Sequence, residues 1–207
     1  MTDAATLGLG HLAAFNLALL FAVAAPGPAF LLYTQAALRG GRAEGIAVGA
    51  GLAVVAGLWT LAALAGLETL FALFPALYLT FKLAGAAMVL GFAWLAWTTA
   101  DAPVAATPRV SGRRAFARGA ALNLGNPKSI VFSAGVLLVI FPPDLSLAQM
   151  ALVTVNQIAL ELAVYATLAT LLTRPAVRAR YLSFKPLVQR AMAVVLGALG
   201  LRLLVGP

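Results

Sequence analysis

The feature that most constrains this chain is a series of six apolar stretches, each about 20 residues long and almost free of charged side chains. A helix rises 1.5 Å per residue, so about 20 residues cross the ~30 Å hydrocarbon core of a bilayer. The sequence therefore predicts an all-α integral membrane protein with six transmembrane helices. The predicted spans are 12–33, 46–67, 70–97, 119–141, 147–172 and 187–205.

Composition excludes a soluble globular domain. Of the 207 residues, 63% are apolar and 10% are charged, whereas soluble domains average about half apolar and about a quarter charged. The chain has no Cys and a single His, which excludes disulfides and thiolate chemistry and leaves little for a metal site. The basic residues form short clusters between apolar runs. We therefore expect no metal, no cofactor and no nucleic-acid partner, and contact with membrane lipid instead.

The positive charges predict the orientation in the membrane. Two Lys or Arg residues follow span one, four follow span three and five follow span five, the last of them (Arg190) in the first turn of span six, while the other two connections have none. The positive-inside rule places the three basic connections in the cytoplasm and both the N-terminus and the C-terminus outside. The 11 residues are Arg39, Arg42, Arg109, Arg113, Arg114, Arg118, Arg174, Arg178, Arg180, Lys185 and Arg190.

The same count predicts internal symmetry. Because each half has three spans, the two halves enter the membrane in opposite directions, which is the arrangement of a 3+3 inverted repeat. We expect one transmembrane domain over residues 1–207, with repeat one at about 8–100, repeat two at about 115–207 and a cytoplasmic linker at 99–118. The first ten residues contain no Lys or Arg, which argues against a cleaved signal peptide.

Two helix breaks fall at comparable places in the two halves: Pro26-Gly27-Pro28 in span one and Asn126-Pro127-Lys128 in span four. Proline has no amide hydrogen, so the carbonyl four residues earlier loses its helical donor. Irregular backbone at membrane depth is tolerated where it lines a cavity or is satisfied by protein. The amides at 29–31 and 129–131 favour an anion. Bare donors and acceptors together predict a zwitterion site; kinks that serve packing alone are the alternative.

Three of the charged residues within the predicted spans are candidates for binding or coupling. Lys128 is about nine residues past Gly119, or ~14 Å deep, near the midplane. Glu161 is the acid at comparable depth in span five, so we expect it to be the partner of Lys128. The pair is either a structural ion pair or a substrate or proton site. Lys82 is shallower in span three, where its side chain could reach the interface.

The chain resembles the LysE/RhtB family of amino-acid exporters over essentially its whole length. The resemblance is carried by the two breaks, by Gly40-Gly41 with Gly45 and Gly49, by Lys82-x-x-Gly85-Ala86, and by Gly197-x-x-Gly200-Leu201. It implies export of an amino acid or similar small metabolite from the cytoplasm, driven by the proton motive force, across a bacterial inner (plasma) membrane. The implied partner is the amino acid; a homodimer stays open.

Three other classes of membrane protein could have a similar pattern of spans. An intramembrane enzyme would need a nucleophile with a base or a set of metal ligands, and the spans contain no such set beyond Glu161. An exporter of an inorganic cation is a second alternative within transport. A non-transporting membrane scaffold is the third, although a scaffold would need neither two matched breaks nor a deep lysine.

Overall fold

In the computed structural model the described residues are 7–24, 27–66, 73–102, 110–142 and 145–205. Within these ranges the chain forms eight helices and no strand, which confirms the all-α prediction. The helices are α1 (Leu9–Ala24), α2 (Pro28–Gly40), α3 (Arg42–Leu64), α4 (Pro75–Thr98), α5 (Gly112–Leu124), α6 (Pro127–Ile140), α7 (Leu147–Leu172) and α8 (Pro175–Val205).

Three of the described helices are long and apolar enough to cross a membrane: α3, α7 and the part of α8 over Pro175–Arg202. Helices α1 and α2 make a fourth crossing if they are one span, bent by 66°. The chain is thus a multi-pass helical membrane protein, and the count of six spans stays a prediction.

Large apolar side chains cover much of the outer surface. Phe21, Trp94, Val155 and Val194 are 71%, 69%, 63% and 62% exposed, on helices α1, α4, α7 and α8. Apolar area on this scale is rare on a soluble monomer and marks contact with lipid or protein.

Two helices extend beyond the predicted apolar stretches. Helix α5 begins at Gly112, so the predicted linker over 99–118 ends in helix; the Ser111 side chain caps α5 by accepting the Arg114 amide at 3.4 Å. Helix α8 begins at Pro175 rather than near residue 187. Its first turns carry basic residues that hydropathy cannot detect as helix, because a helix can continue out of the apolar layer.

Helix α3 lies at the centre of the described fold, against α2, α5, α6 and α7, while α4 packs along α8. Helices α3 and α5 approach each other closely. A Cβ atom at Gly119 would collide with the Val48 carbonyl, and one at Gly51 would collide with the Phe116 carbonyl. Backbone atoms cannot move aside as a flexible side chain can, so glycine is required at both positions.

Gly41, Gly45 and Gly49 recur at four-residue spacing, a pattern that favours close helix packing, and the structure gives them different roles. A Cβ at Gly45 would lie 2.9 Å from the Cβ of Ala37, and one at Gly49 would meet Tyr165. Gly41 instead has open space around its Cβ position and a φ of 87°, between α2 and α3. The role of Gly41 is therefore conformational, since other residues rarely adopt a positive φ.

The three basic connections meet at one end of the helix bundle. The Lys185 ammonium, 7% exposed, donates to the carbonyls of Thr99, Ala100 and Ala102, each at 2.8 Å. It thereby binds carbonyls at the C-terminal end of α4, where a cation is favoured. Arg39 from α2 and Arg118 from α5 line a cavity at the same end. We call this region the basic end.

Candidate functional site

The first helix break separates α1 from α2. Pro26 lies outside the described residues, while Gly27 and Pro28 are both buried. Pro28 is the first residue of α2, a position where its missing amide costs no helical bond. Gly27 precedes it in an extended conformation, and no side chain caps this helix start. The amides of Ala29 and Phe30, in the first turn, have no acceptor within α2.

The second break separates α5 from α6, and it is closed by its own asparagine. Asn126 precedes Pro127 and caps α6: its side-chain oxygen accepts the Lys128 amide at 3.2 Å, and its carbonyl accepts the amides of Ser129 and Ile130. The expectation that the amides at 129–131 are open to a ligand is therefore wrong for 129 and 130, because the Asn126 carbonyl accepts both of them.

The carbonyl that Pro127 releases is also occupied. The Trp59 indole nitrogen, from α3, donates to the Asn123 carbonyl at 3.2 Å. The Asn123 amide donates to the Leu52 carbonyl at 2.6 Å, and its side-chain oxygen accepts the Ser129 hydroxyl at 2.6 Å. The prediction that this carbonyl awaits a ligand is wrong, because α3 supplies the donor. What the second break contributes is the fixed position of Lys128.

A small cavity lies between the two breaks, and we call it the break cavity. Its volume is about 40 Å³, room for about three water molecules. The described helices α1, α2, α3, α5, α6 and α7 all contribute to its wall. Its polar lining residues are Asn123, Asn126, Lys128, Ser129, Ser133, Gln157, Glu161 and Tyr165.

Opposite charges face each other across this cavity. Lys128 from α6 is half-buried, Glu161 from α7 is 4% exposed, and the two charges interact electrostatically. The Glu161 carboxylate also accepts the side-chain amide of Gln157 at 3.0 Å. Gln157 in turn accepts the Thr60 hydroxyl of α3. A polar network thus holds the carboxylate in place and connects it to the central helix.

The structure places most of the predicted site residues around this cavity. Asn126, Lys128 and Glu161 line it, while Gly27, Pro28 and Pro127 form the helix starts beside it. Lys82 lies in α4, which packs against α8 and supplies none of the described lining residues of the break cavity. The Lys82 side chain itself lies outside the described part of the structure.

Sequence reasoning missed Trp59, Thr60 and Ser133 as parts of this site. Trp59 donates to the Asn123 carbonyl, a role that its residue type does not indicate. Helices that are apolar on all sides have no stripe to indicate which face turns inward. The sequence offers only a weak signal for Thr60 and Trp59. Both lie in the span that is rich in glycine, and its glycines allow α3 to pack at the centre of the fold.

The fold and the cavity define a class: a polytopic helical membrane protein with a charged cavity between broken helices, as in secondary transporters. The family model for the LysE type translocator matches residues 20–206. The chain belongs to this family and is therefore a membrane translocator. Its relatives include the uncharacterized membrane protein YahN of Escherichia coli strain K12, 24% identical over 207 residues that cover 96% of this chain and 87% of YahN. No solved structure matches the chain.

Proposed function

We propose that this protein is a secondary active exporter that moves amino acids or closely related small zwitterions out of the cytoplasm, driven by the proton motive force. The observation that carries the proposal is the break cavity. Its wall contains Lys128, which can bind the carboxylate of a zwitterion, and Glu161, which can bind the ammonium group. Family membership supports translocation. The host membrane is then the bacterial inner membrane.

The substrate carboxylate binds between Lys128 and the start of α2. Lys128 provides a cation, and the first-turn amides of Ala29 and Phe30 provide donors at the positive end of a helix. The substrate ammonium binds Glu161. Substrate and proton compete for this carboxylate, so Glu161 exchanges one for the other during the cycle and couples them.

The cavity volume implies that the protein changes shape during transport. Small-molecule sites usually measure about 300–1,000 Å³, and about 40 Å³ is too small for an amino acid. The structure thus represents a closed state. The 66° bend between α1 and α2 gives a place where the wall can move, as broken helices do in transporters of this kind.

Helix packing supports the inverted repeat as the frame for this movement. If α1 with α2, α3 and α4 form the first repeat, their counterparts are α5 with α6, α7 and α8. The counterparts α3 and α7 pack together, as do α4 and α8, as expected of helices that lie near a two-fold axis in the membrane plane. With the basic end toward the cytoplasm, both termini are outside.

An exporter of inorganic cations is less well supported. The Lys128 ammonium faces the same cavity as Glu161 and would repel a metal cation. Substrate screening separates these options.

The test is transport by purified protein in proteoliposomes loaded with individual labelled amino acids. We expect an inwardly directed proton gradient to accelerate the efflux of at least one amino acid, and Lys128→Met and Glu161→Gln to abolish this. The matched control removes the exposed pair Asp101 and Arg190, bonded at 2.6 Å, with Asp101→Asn and Arg190→Gln. An exposed pair contributes about 0–1 kcal/mol, so the control should transport normally. Efflux of no amino acid would refute the proposal.

A further inference from the structure

A second cavity lies at the basic end, and we call it the basic-end cavity. Its volume is about 400 Å³, within the range of small-molecule sites and about ten times that of the break cavity. It is formed by α2, α3, α5 and the residue Val110. Its polar lining residues are Gln35, Arg39, Glu44 and Arg118.

Two arginines from different halves of the chain line this cavity. Arg39 lies in the last turn of α2, and Arg118 lies on α5. The Arg39 Nε atom is buried and has no hydrogen-bond partner within the described part of the chain. A guanidinium presents its donors in a planar fork that matches a carboxylate. Two guanidinium groups in the wall of one cavity therefore favour a ligand that carries a carboxylate.

An acidic side chain lies in the same wall. Glu44 is 8% exposed, and one of its oxygens accepts the Val110 amide at 3.2 Å. Its carboxylate lies directly against Gly40, where a Cβ atom would collide with it. Gly40 therefore leaves the space that Glu44 occupies. The cavity thus combines two cations with one fixed anion.

We propose that the basic-end cavity is a separate binding site for a small molecule that carries both a carboxylate and an ammonium group. Arg39 and Arg118 bind the carboxylate, and Glu44 binds the ammonium. The carboxylate and the ammonium are also the charged groups of the proposed substrate. The further idea that the substrate enters the protein through this site rests on the proposed function. Binding itself does not depend on transport.

The position of the cavity explains why a second site would be useful. Along α2, Phe30 lines the break cavity and Arg39 lines the basic-end cavity, about 14 Å apart. Tyr33 lies between them on α2, fully buried, with its ring 5.2 Å from that of Tyr165. A molecule that comes from the basic end thus meets this cavity first, before the closed layer of tyrosines.

The chain has no Cys, so a single introduced thiol reports on the cavity without background. Gln35→Cys places the thiol in the cavity wall, and Ser183→Cys places a matched control thiol on the exposed surface of α8. The rate of alkylation by N-ethylmaleimide is measured with and without a mixture of the standard amino acids that omits cysteine, because the thiol of free cysteine would consume the reagent. Glycinamide, which lacks the carboxylate, and acetate, which lacks the ammonium, are the comparison probes.

We expect the amino-acid mixture to slow alkylation of Gln35→Cys but not of Ser183→Cys, and both comparison probes to protect less. Adding Arg39→Gln or, separately, Arg118→Gln should raise the half-protecting concentration about tenfold, as the loss of one charged hydrogen bond predicts. Gly40→Ala should weaken protection because it displaces Glu44.

Equal alkylation rates with and without the mixture would overturn the proposal, and so would protection that neither arginine substitution changes. The variant Lys128→Met separates the two sites, because it removes a group of the break cavity only. Protection that persists in this variant supports an independent basic-end site. Protection without amino-acid transport would refute the proposed function alone, and transport without protection would refute the basic-end site alone.

Discussion

The pair Lys128 and Glu161 gives the sharpest prediction, because the two side chains differ in burial. Glu161 is 4% exposed, with Gln157 donating to it at 3.0 Å, whereas Lys128 is half-buried against a cavity with room for water. Removing one of two buried opposite charges leaves the other uncompensated, which costs up to about 3–5 kcal/mol when the two form a direct ion pair. Lys128→Met strands the more buried charge and should cost more than Glu161→Gln.

The magnitude sets what the assay must resolve. For a chain of this size, 1 kcal/mol corresponds to about 2–4 °C in melting temperature. We therefore expect Lys128→Met to lower the melting temperature in detergent by up to about 20 °C, and Glu161→Gln to lower it by less. The double variant leaves no stranded charge and should melt near the wild type.

Transport by the same variants separates structure from function. If the pair is only structural, the double variant should recover both stability and counterflow of labelled amino acid in proteoliposomes. We expect recovery of stability without counterflow, since no neutral side chain replaces the cation at the substrate carboxylate. Wild-type counterflow by the double variant would remove Lys128 and Glu161 from the binding site, and a larger loss from Glu161→Gln would refute the burial argument.

Three further predictions follow from other parts of the fold. For orientation, Ala148→Cys should react with a membrane-impermeant maleimide from outside and Ala179→Cys only from the cytoplasm; the reverse pattern would refute the proposed topology. For packing, Gly119→Ala should cost about 1–3 kcal/mol because its Cβ meets backbone, whereas Gly91→Ala, with open space around it, should be neutral or stabilising; equal melting temperatures would contradict this. Tyr33→Phe removes a buried hydroxyl without a described partner and should stabilise the protein by about 1 kcal/mol; a lower melting temperature would show that the hydroxyl is bonded.

Hydropathy predicts some of these helices closely and others poorly, for physical reasons. Helix α7 matches its predicted span because an apolar run lies between the Ser146 capping box and Arg174. Helix α8 starts at Pro175, before its apolar stretch, because proline is favoured in the first turn of a helix and the polar first turns need not lie in lipid. Apolar length therefore indicates where a chain can cross lipid, and tertiary contacts determine where each helix ends.

For the candidate site, the sequence predicts how deep each charged residue lies in the membrane, but not which residues surround it. Distance along the chain from the basic connections places Lys128 and Glu161 at a similar level, and the structure has both at the break cavity. Which face of each helix turns inward is decided by packing. The hydrogen bond from Trp59 to the Asn123 carbonyl joins α3 to α5, and it depends on the glycine contact between those helices.

The two breaks look equivalent in sequence, yet they differ in chemistry. Asn126 uses its own side chain and carbonyl to satisfy the start of α6, which fixes Lys128 as a side-chain cation. Gly27 has no side chain, so the start of α2 keeps its first-turn donors beside the cavity. One break therefore contributes a fixed charge and the other contributes backbone donors. A carboxylate bound between them would complete the start of α2, which would couple substrate binding to the helix that reaches from the break cavity to the basic end.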